Sequence, residues 1–153
     1  MKSVMFIAAF VISVFTVNKV HAQVNVNINI AQQPVWGPTG YDHVDYYYLP
    51  DIDIYYNVPK HQYVYLQDNK WVFRKSLPAK YKNYDFYKGY KVVVNEDKPY
   101  LHLDEHRKEY ASFRNRHDQQ VIRDSRDNRY YVNKKHPEHK NWEKEQKGNN
   151  GTH

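Results

Sequence analysis

The chain predicts a small α+β domain, with an antiparallel, tyrosine-rich β-meander of four to six strands, one helix over or beside it, and a disordered, charged C-terminal tail. Three observations predict this. Short aromatic runs from Val44 to Arg74 are separated by turn residues at the spacing of a meander. After Pro99, the residues Leu103, His106, Tyr110 and Phe113 recur at helical spacing and make one apolar face. From Asn133 onward the chain is polar and almost free of aliphatic side chains, so it has little to bury.

The elements follow in chain order. Met1 to Ala22 has a lysine near its start, an apolar run from Val4 to Val17, and slim residues at Val20 and Ala22. That is the pattern of an export signal, and the run is short for a bilayer span. Residues 23–40 read as an N-terminal strand followed by a Pro/Gly linker. Val24, Val26, Ile28 and Ile30 alternate with Asn25, Asn27 and Asn29, which is the period of a half-buried strand. Pro34, Gly37, Pro38 and Gly40 surround Trp36, giving a linker or a loop pinned by the tryptophan.

The α+β domain spans residues 41–132. Its first four strands are expected at Val44–Leu49, Ile52–Asn57, Gln62–Leu66 and Trp71–Arg74. Pro50, Pro59 and the sequence Gln67-Asp68-Asn69-Lys70 mark the turns, since Asp and Asn tolerate left-handed backbone. Ser76 to Gly89 is an irregular or short helical connection, and Lys91–Val94 is a fifth strand. The helix runs from Pro99 to about Arg116. Gln120–Arg123 and Arg129–Val132 would form a last hairpin, and residues 133–153 the tail.

The chain has no cysteine, so neither a disulfide, a thiol nucleophile nor a lipid-anchored N-terminal cysteine is available, and an exported domain must hold together by its core. With 16 tyrosines and few aliphatics, that core must contain rings whose hydroxyls reach water or a partner. The formal net charge is +6. In an exported protein such an excess favours anionic surfaces; the alternative is that it serves solubility.

Most catalytic chemistries find no machinery. After the export signal the serines are Ser76, Ser112 and Ser125, none in a nucleophile elbow, and the glycines form neither a dinucleotide fingerprint nor a phosphate loop. Asp51 and Asp53 would share one strand face, projecting in parallel and not flanking a bond, so a solvated face is the expectation. No cofactor and no enzymatic activity are expected.

Two binding chemistries stay open. His102 and His106 lie at i and i+4 of the expected helix, with Glu105 between them, and would share a metal there. His117, His136, His139 and His153 add further imidazoles toward the end. The stronger expectation is aromatic and electrostatic. Tyr63, Tyr65, Trp71 and Phe73 lie on two strands expected to pair, near Lys60, Lys70, Arg74 and Lys75. One sheet face showing rings and cations would stack sugars or bases and neutralise phosphates. The plainer alternative is that these rings are core. Val24–Ile30, uncharged and β-prone, would assemble with other copies if it were left unpaired.

The segments Pro34-Val35-Trp36-Gly37-Pro38, Tyr46-Tyr47-Tyr48-Leu49-Pro50-Asp51-Ile52, Tyr55-Tyr56-Asn57-Val58-Pro59 and Trp71-Val72-Phe73 with Leu77-Pro78 resemble a group of small exported proteins of Bacteroidota. The resemblance runs to about Val132. It implies an extracytoplasmic location and transfers no catalytic residue. The expected function is therefore that of an exported envelope protein, in the periplasm, on the outer membrane or outside the cell. Its expected partner is an anionic component (lipopolysaccharide, acidic glycan or phospholipid head groups) or another envelope protein. A histidine-rich periplasmic metal binder and a self-assembling surface protein are the alternatives.

Overall fold

The computed structural model of the chain describes residues 28–149. The expected export signal and most of the Val24–Ile30 strand lie outside the described residues. Five antiparallel strands form the sheet: β1 (Tyr46–Leu49), β2 (Ile54–Asn57), β3 (Gln62–Gln67), β4 (Lys70–Arg74) and β5 (Val92–Val94). Their order is β4-β3-β2-β1-β5, a meander closed by β5 returning to the open side of β1.

Local chemistry sets each reversal. Asp68 and Asn69 both take positive φ (50° and 58°), giving the two-residue hairpin that joins β3 to β4. Asp53 (φ 53°) ends the turn into β2, where its amide bonds to the Leu49 carbonyl at 2.9 Å. His61 (φ 52°) ends the next turn, in which the Asn57 side chain accepts the Lys60 amide at 2.9 Å.

Strand alternation gives the sheet two apolar faces, each of which needs a cover. Tyr48, Tyr55, Val64 and Val94 face the helix α1 (Leu103–Glu109), which contributes Leu103 and His106. Tyr47, Tyr56 and Val93 face the Trp36 loop, while Leu49, Ile54 and Tyr65 meet Leu77, Tyr81, Tyr84 and Phe86 from the β4–β5 connection. Trp36 pins its loop by packing on Tyr47, Tyr56 and Phe86 at centroid distances of 5.5, 5.1 and 4.9 Å. Aromatic pairs of this kind each contribute roughly 0.5–1.5 kcal/mol beyond their buried area.

The inward tyrosines keep their hydroxyls satisfied. Tyr47 donates to Gln33 Oε1 at 3.1 Å, Tyr48 to Asp53 at 2.7 Å, and Tyr55 to His106 Nδ1 at 2.7 Å. Burial pushes the phenols of Tyr47, Tyr48 and Tyr55 well above their ordinary range, so they remain neutral donors.

Amide side chains extend the sheet where backbone pairing stops. Asn29 bonds both the N–H and the C=O of Val44, at 2.9 and 2.7 Å. Gln119 does the same for Lys91, at 3.0 and 2.9 Å. Each replaces a missing strand with one side chain, satisfying groups that burial would otherwise penalise.

Four expectations are corrected. The helix is shorter than Pro99–Arg116: Pro99–His102 and Ala111–Phe113 are 3-10 turns, and only Leu103–Glu109 is α-helical. Its apolar spacing still holds, since Tyr110 packs on Tyr48. No terminal hairpin forms. Val121 bridges to Pro38, and the 3-10 turns Ile122–Asp124 and Asn128–Val132 close a small core of Ile30, Val35, Ile122 and Tyr130. Ile30–Gln32 is a 3-10 turn and not the end of a strand.

Finally, the chain after Asn133 is not a loose tail up to Asn149. Asn133 and His136 are buried at 3% and 4% exposure, and α2 (His139–Asn149) follows. Asn133 is held by the Gln33 and Ile30 carbonyls, and His136 bonds the Ser125 carbonyl at 3.2 Å. Specific hydrogen bonds order this segment, which composition does not show. Among the described residues, no helix is long and apolar enough to cross a membrane.

Lys91 is the one buried lysine of the described core, at 1% exposure, its ammonium donating to the Phe86 carbonyl at 3.0 Å. Burial lowers its pKa to about 8, partly opposed by Asp85 and Asp51. Because the folded pKa lies below the unfolded one, the unfolded chain binds more protons above pH 8, and stability rises with pH there. Between pH 7.5 and 9.5, urea unfolding will show the native chain gaining on the order of 1 kcal/mol relative to Lys91→Met, a difference in which the ionisation of unfolded tyrosines cancels. In absolute stability those tyrosines reverse the slope as pH approaches about 10.

Candidate anion-binding groove

The expected face of rings and cations is split between the two sides of the sheet. The β3–β4 register places Tyr63 opposite Arg74 and Tyr65 opposite Val72, with Val64 opposite Phe73 and Leu66 opposite Trp71. Directly opposed residues share a face, so Tyr63 and Tyr65 lie on one side of the sheet and Trp71 and Phe73 on the other. Tyr65 is buried under the β4–β5 connection as core. Trp71 and Phe73 pack on Tyr100, at 5.2 and 5.4 Å.

Of the cations, Lys70 and Arg74 share the Tyr63 and Tyr65 side of the sheet. Lys60 lines a shallow hollow with the carboxylates Asp45, Glu96 and Asp97. Lys70 sits beside the hairpin turn. Arg74 borders a cleft of about 760 Å³ that also holds Asp53, Asp68 and Arg107. Of the expected set, Tyr65 and Arg74 line this cleft together, Tyr63 stands opposite Arg74 across the strands, and Tyr63 also meets Lys75.

Tyr63 and Lys75 belong to a groove of about 550 Å³. Its floor is the cross-strand pair Tyr56 and Tyr63, with ring centroids 5.0 Å apart. His61 stands at one end, its Nδ1 at 3.3 Å from the Tyr56 hydroxyl. Lys75 rises from the end of β4. Lys134 and Lys135 rise from the opposite wall, which Gln33 and Asn133 build. That wall is fixed. Asn133 Oδ1 accepts the Lys135 amide at 3.0 Å, while Gln33 Nε2 donates to Asn29 Oδ1 and the Tyr41 carbonyl at 3.2 and 3.1 Å. Gln33 is 1% exposed.

No carboxylate lines the groove. Among the described residues none lies within ion-pair distance of the ammonium groups of Lys75, Lys134 or Lys135, although Lys147 and, less strongly, Lys134 lower the pKa of the Glu143 carboxyl; elsewhere Asp42, Asp53, Asp104, Asp118, Asp124 and Asp127 pair with arginine. Burial, reinforced by Tyr56, raises the Tyr63 phenol to about 12, which keeps it a neutral donor beside the lysines. A concave site with three ammonium groups, an imidazole and phenolic hydroxyls is complementary to phosphate or carboxylate oxygens.

Tyr56, His61, Lys134 and Lys135 are absent from the sequence-derived set. Tyr56 follows from strand register. The two lysines depend on the ordering of the chain after Asn133, which composition argues against.

The metal pair fares differently. His106 spends Nδ1 on Tyr55, and its Nε2 faces Glu96 at 3.9 Å from within the core. His102 is exposed and leans toward Glu105 at 3.4 Å. The two imidazoles therefore do not converge on a common point. Among the described residues, no three His, Asp or Glu side chains cluster as a metal site requires.

Asp51 and Asp53 are not a solvated strand face, because they sit in the β1–β2 turn and bind the two covering layers. Asp53 accepts from Tyr48, from Arg107 Nε at 3.1 Å and from Arg114 at 2.5 Å. Asp51 accepts the Asn115 amide at 2.8 Å and the Tyr84 hydroxyl at 3.3 Å. The Tyr84 ring lies so close to Gly89 that a Cβ there would fall 1.8 Å from its hydroxyl, so a larger residue would push that hydroxyl off its place beside Asp51.

No family model, curated protein or solved structure matches the chain.

Proposed function

We propose that the chain is an exported, non-enzymatic cell-envelope protein that binds an anionic envelope polymer through the Lys75–Lys134–Lys135 groove. One observation carries this reading: three lysines converge on a tyrosine-floored groove that contains no carboxylate. Three cations gathered in a concavity whose lining holds no carboxylate cost self-repulsion, and a polyanion relieves it. The export pattern of Met1–Ala22 supplies a compartment in which such polymers occur. Lipopolysaccharide phosphates, acidic glycans and phospholipid head groups share the oxygen-rich chemistry the groove accepts.

The test uses the mature chain, Gln23–His153, mixed with isolated cell envelopes across a salt series. Retention at low salt and release at high salt are expected, because partly exposed charges are screened within about 10 Å at 0.1 M salt. Failure to sediment at any salt would overturn the reading.

A further inference from the structure

The two edges of the sheet are finished differently. At β5, Gln119 caps the main chain of Lys91 on the outer side. At β4 the described residues supply no second strand. The two-residue hairpin makes Gln67 and Lys70 the closing hydrogen-bonded pair, so in β4 the main-chain groups of Trp71 and Phe73 point away from β3. Besides the long contact of the Arg74 guanidinium with the Phe73 carbonyl (3.3 Å), no described residue bonds them.

Beside this edge lies the most exposed apolar surface of the described body. Leu66, Phe73 and Leu101 are 44, 40 and 60% exposed, and a hollow of about 420 Å³ is lined by Leu66, Trp71, Leu101 and Leu103 together with His102, Asp104, Glu105 and Arg107. The other side of β4 carries Lys70 and Arg74. A strand added here would need apolar residues on one face and polar ones without positive charge on the other.

Val24-Asn25-Val26-Asn27-Ile28 has that pattern and no charge. With the export signal removed after Ala22, as the proposed function has it, its own copy cannot deliver it. The segment joins the body at Asn29, bonded to Asp42 and Val44 just before β1. From β1 to β4 is three strand spacings, roughly 14 Å, and residues 23–27 fully extended span only about 17 Å. Reaching β4 would leave almost nothing to pair with it.

We infer that Val24–Ile28 of one copy adds as a sixth strand to the outer edge of β4 in a second copy, with Val24, Val26 and Ile28 covering the Leu66–Trp71–Phe73–Leu101 surface. Main-chain bonds to Trp71 and Phe73 hold it, and the aliphatic face covers the exposed side chains of Leu66, Phe73 and Leu101. This interface lies apart from the lysine groove and stands or falls independently of it.

The test is the mass of the mature chain by size-exclusion chromatography with light scattering, in three forms. The native chain is expected at the mass of two copies or more. Val24→Asp with Val26→Asp spoils the added strand without touching the described core. Phe73→Pro removes an outward N–H that β3 does not use, and near-ultraviolet circular dichroism confirms that it remains folded. Each variant alone is expected at the mass of one copy. Mixed together they are expected to form a two-copy species, since each supplies what the other lacks. A native chain that stays single at high concentration would overturn the proposal. So would association that survives Phe73→Pro but not the double aspartate change, because the segment would then dock elsewhere.

Discussion

Asp53→Asn will lower the unfolding free energy by about 2 kcal/mol, as for loss of hydrogen bonds to a charged group. Asparagine keeps the tolerance for the left-handed backbone that residue 53 needs, so the change isolates the carboxylate. Asp53 is the point at which β1, the α1 helix and the turn after it meet: Tyr48 donates from beneath, Arg107 and Arg114 from above. With the carboxylate gone, the Tyr48 hydroxyl keeps an amide acceptor, but both guanidiniums lose their anion. They are 41 and 38% exposed and will turn partly to water, which limits the loss. Asp53→Ala will cost about 1 kcal/mol more, through backbone strain and loss of the last acceptor for a buried phenol. Urea unfolding followed by tyrosine fluorescence measures both. If Asp53→Asn unfolds at the native urea midpoint, the carboxylate is not the clamp described here.

Lys75→Ala, Lys134→Ala and Lys135→Ala together will weaken binding to anionic vesicles by about 100-fold, because each cation near an anionic surface contributes roughly 1 kcal/mol. The three alanines remove charge and leave the groove's shape intact, since the wall is held by Gln33 and Asn133. The salt dependence of binding will flatten in the same variant, as fewer counterions are displaced. His61→Ala will leave most of the affinity in place, because the three lysines supply the groove's charge and His61 Nδ1 is taken up by the Tyr56 hydroxyl.

The strands were legible because each is a short β-branched or aromatic run between residues that suit a turn. Asp68-Asn69, with both residues at positive φ, is the clearest case. The two-sided burial of the sheet was less so. A meander with one wet face would show polar alternation, yet Tyr46 to Leu49 carries rings or aliphatics at every position, and that run already implied two covers. The helix was overextended because periodicity records a face and not a backbone: Tyr110 and Phe113 keep the face while the chain passes into a 3-10 turn. The ordering of residues 133–138 left no trace in composition. It rests on single hydrogen bonds from Asn133 and His136, and polar residues so used look like any polar tail.

The site followed the same division. Tyr63 and Lys75 were visible as a ring and a cation near paired strands. Their partners were not, because Lys134 and Lys135 come from far along the chain and meet Lys75 only after the N-terminal turn and the C-terminal segment have packed on the sheet. Grouping Trp71 and Phe73 with Tyr63 and Tyr65 ignored register. Across a two-residue hairpin, Tyr63 opposes Arg74, which sends Phe73 to the other face.

The most direct test of groove binding compares two variants of equal charge. One carries Lys75→Ala, Lys134→Ala and Lys135→Ala; the other carries Lys82→Ala, Lys98→Ala and Lys108→Ala, all exposed and outside the groove. Affinity for vesicles rich in anionic head groups is measured for both beside the native chain. The groove variant is expected to lose about 100-fold and the control only a small fraction of that. Equal losses in the two would contradict a site at the groove and leave diffuse net charge as the source of binding.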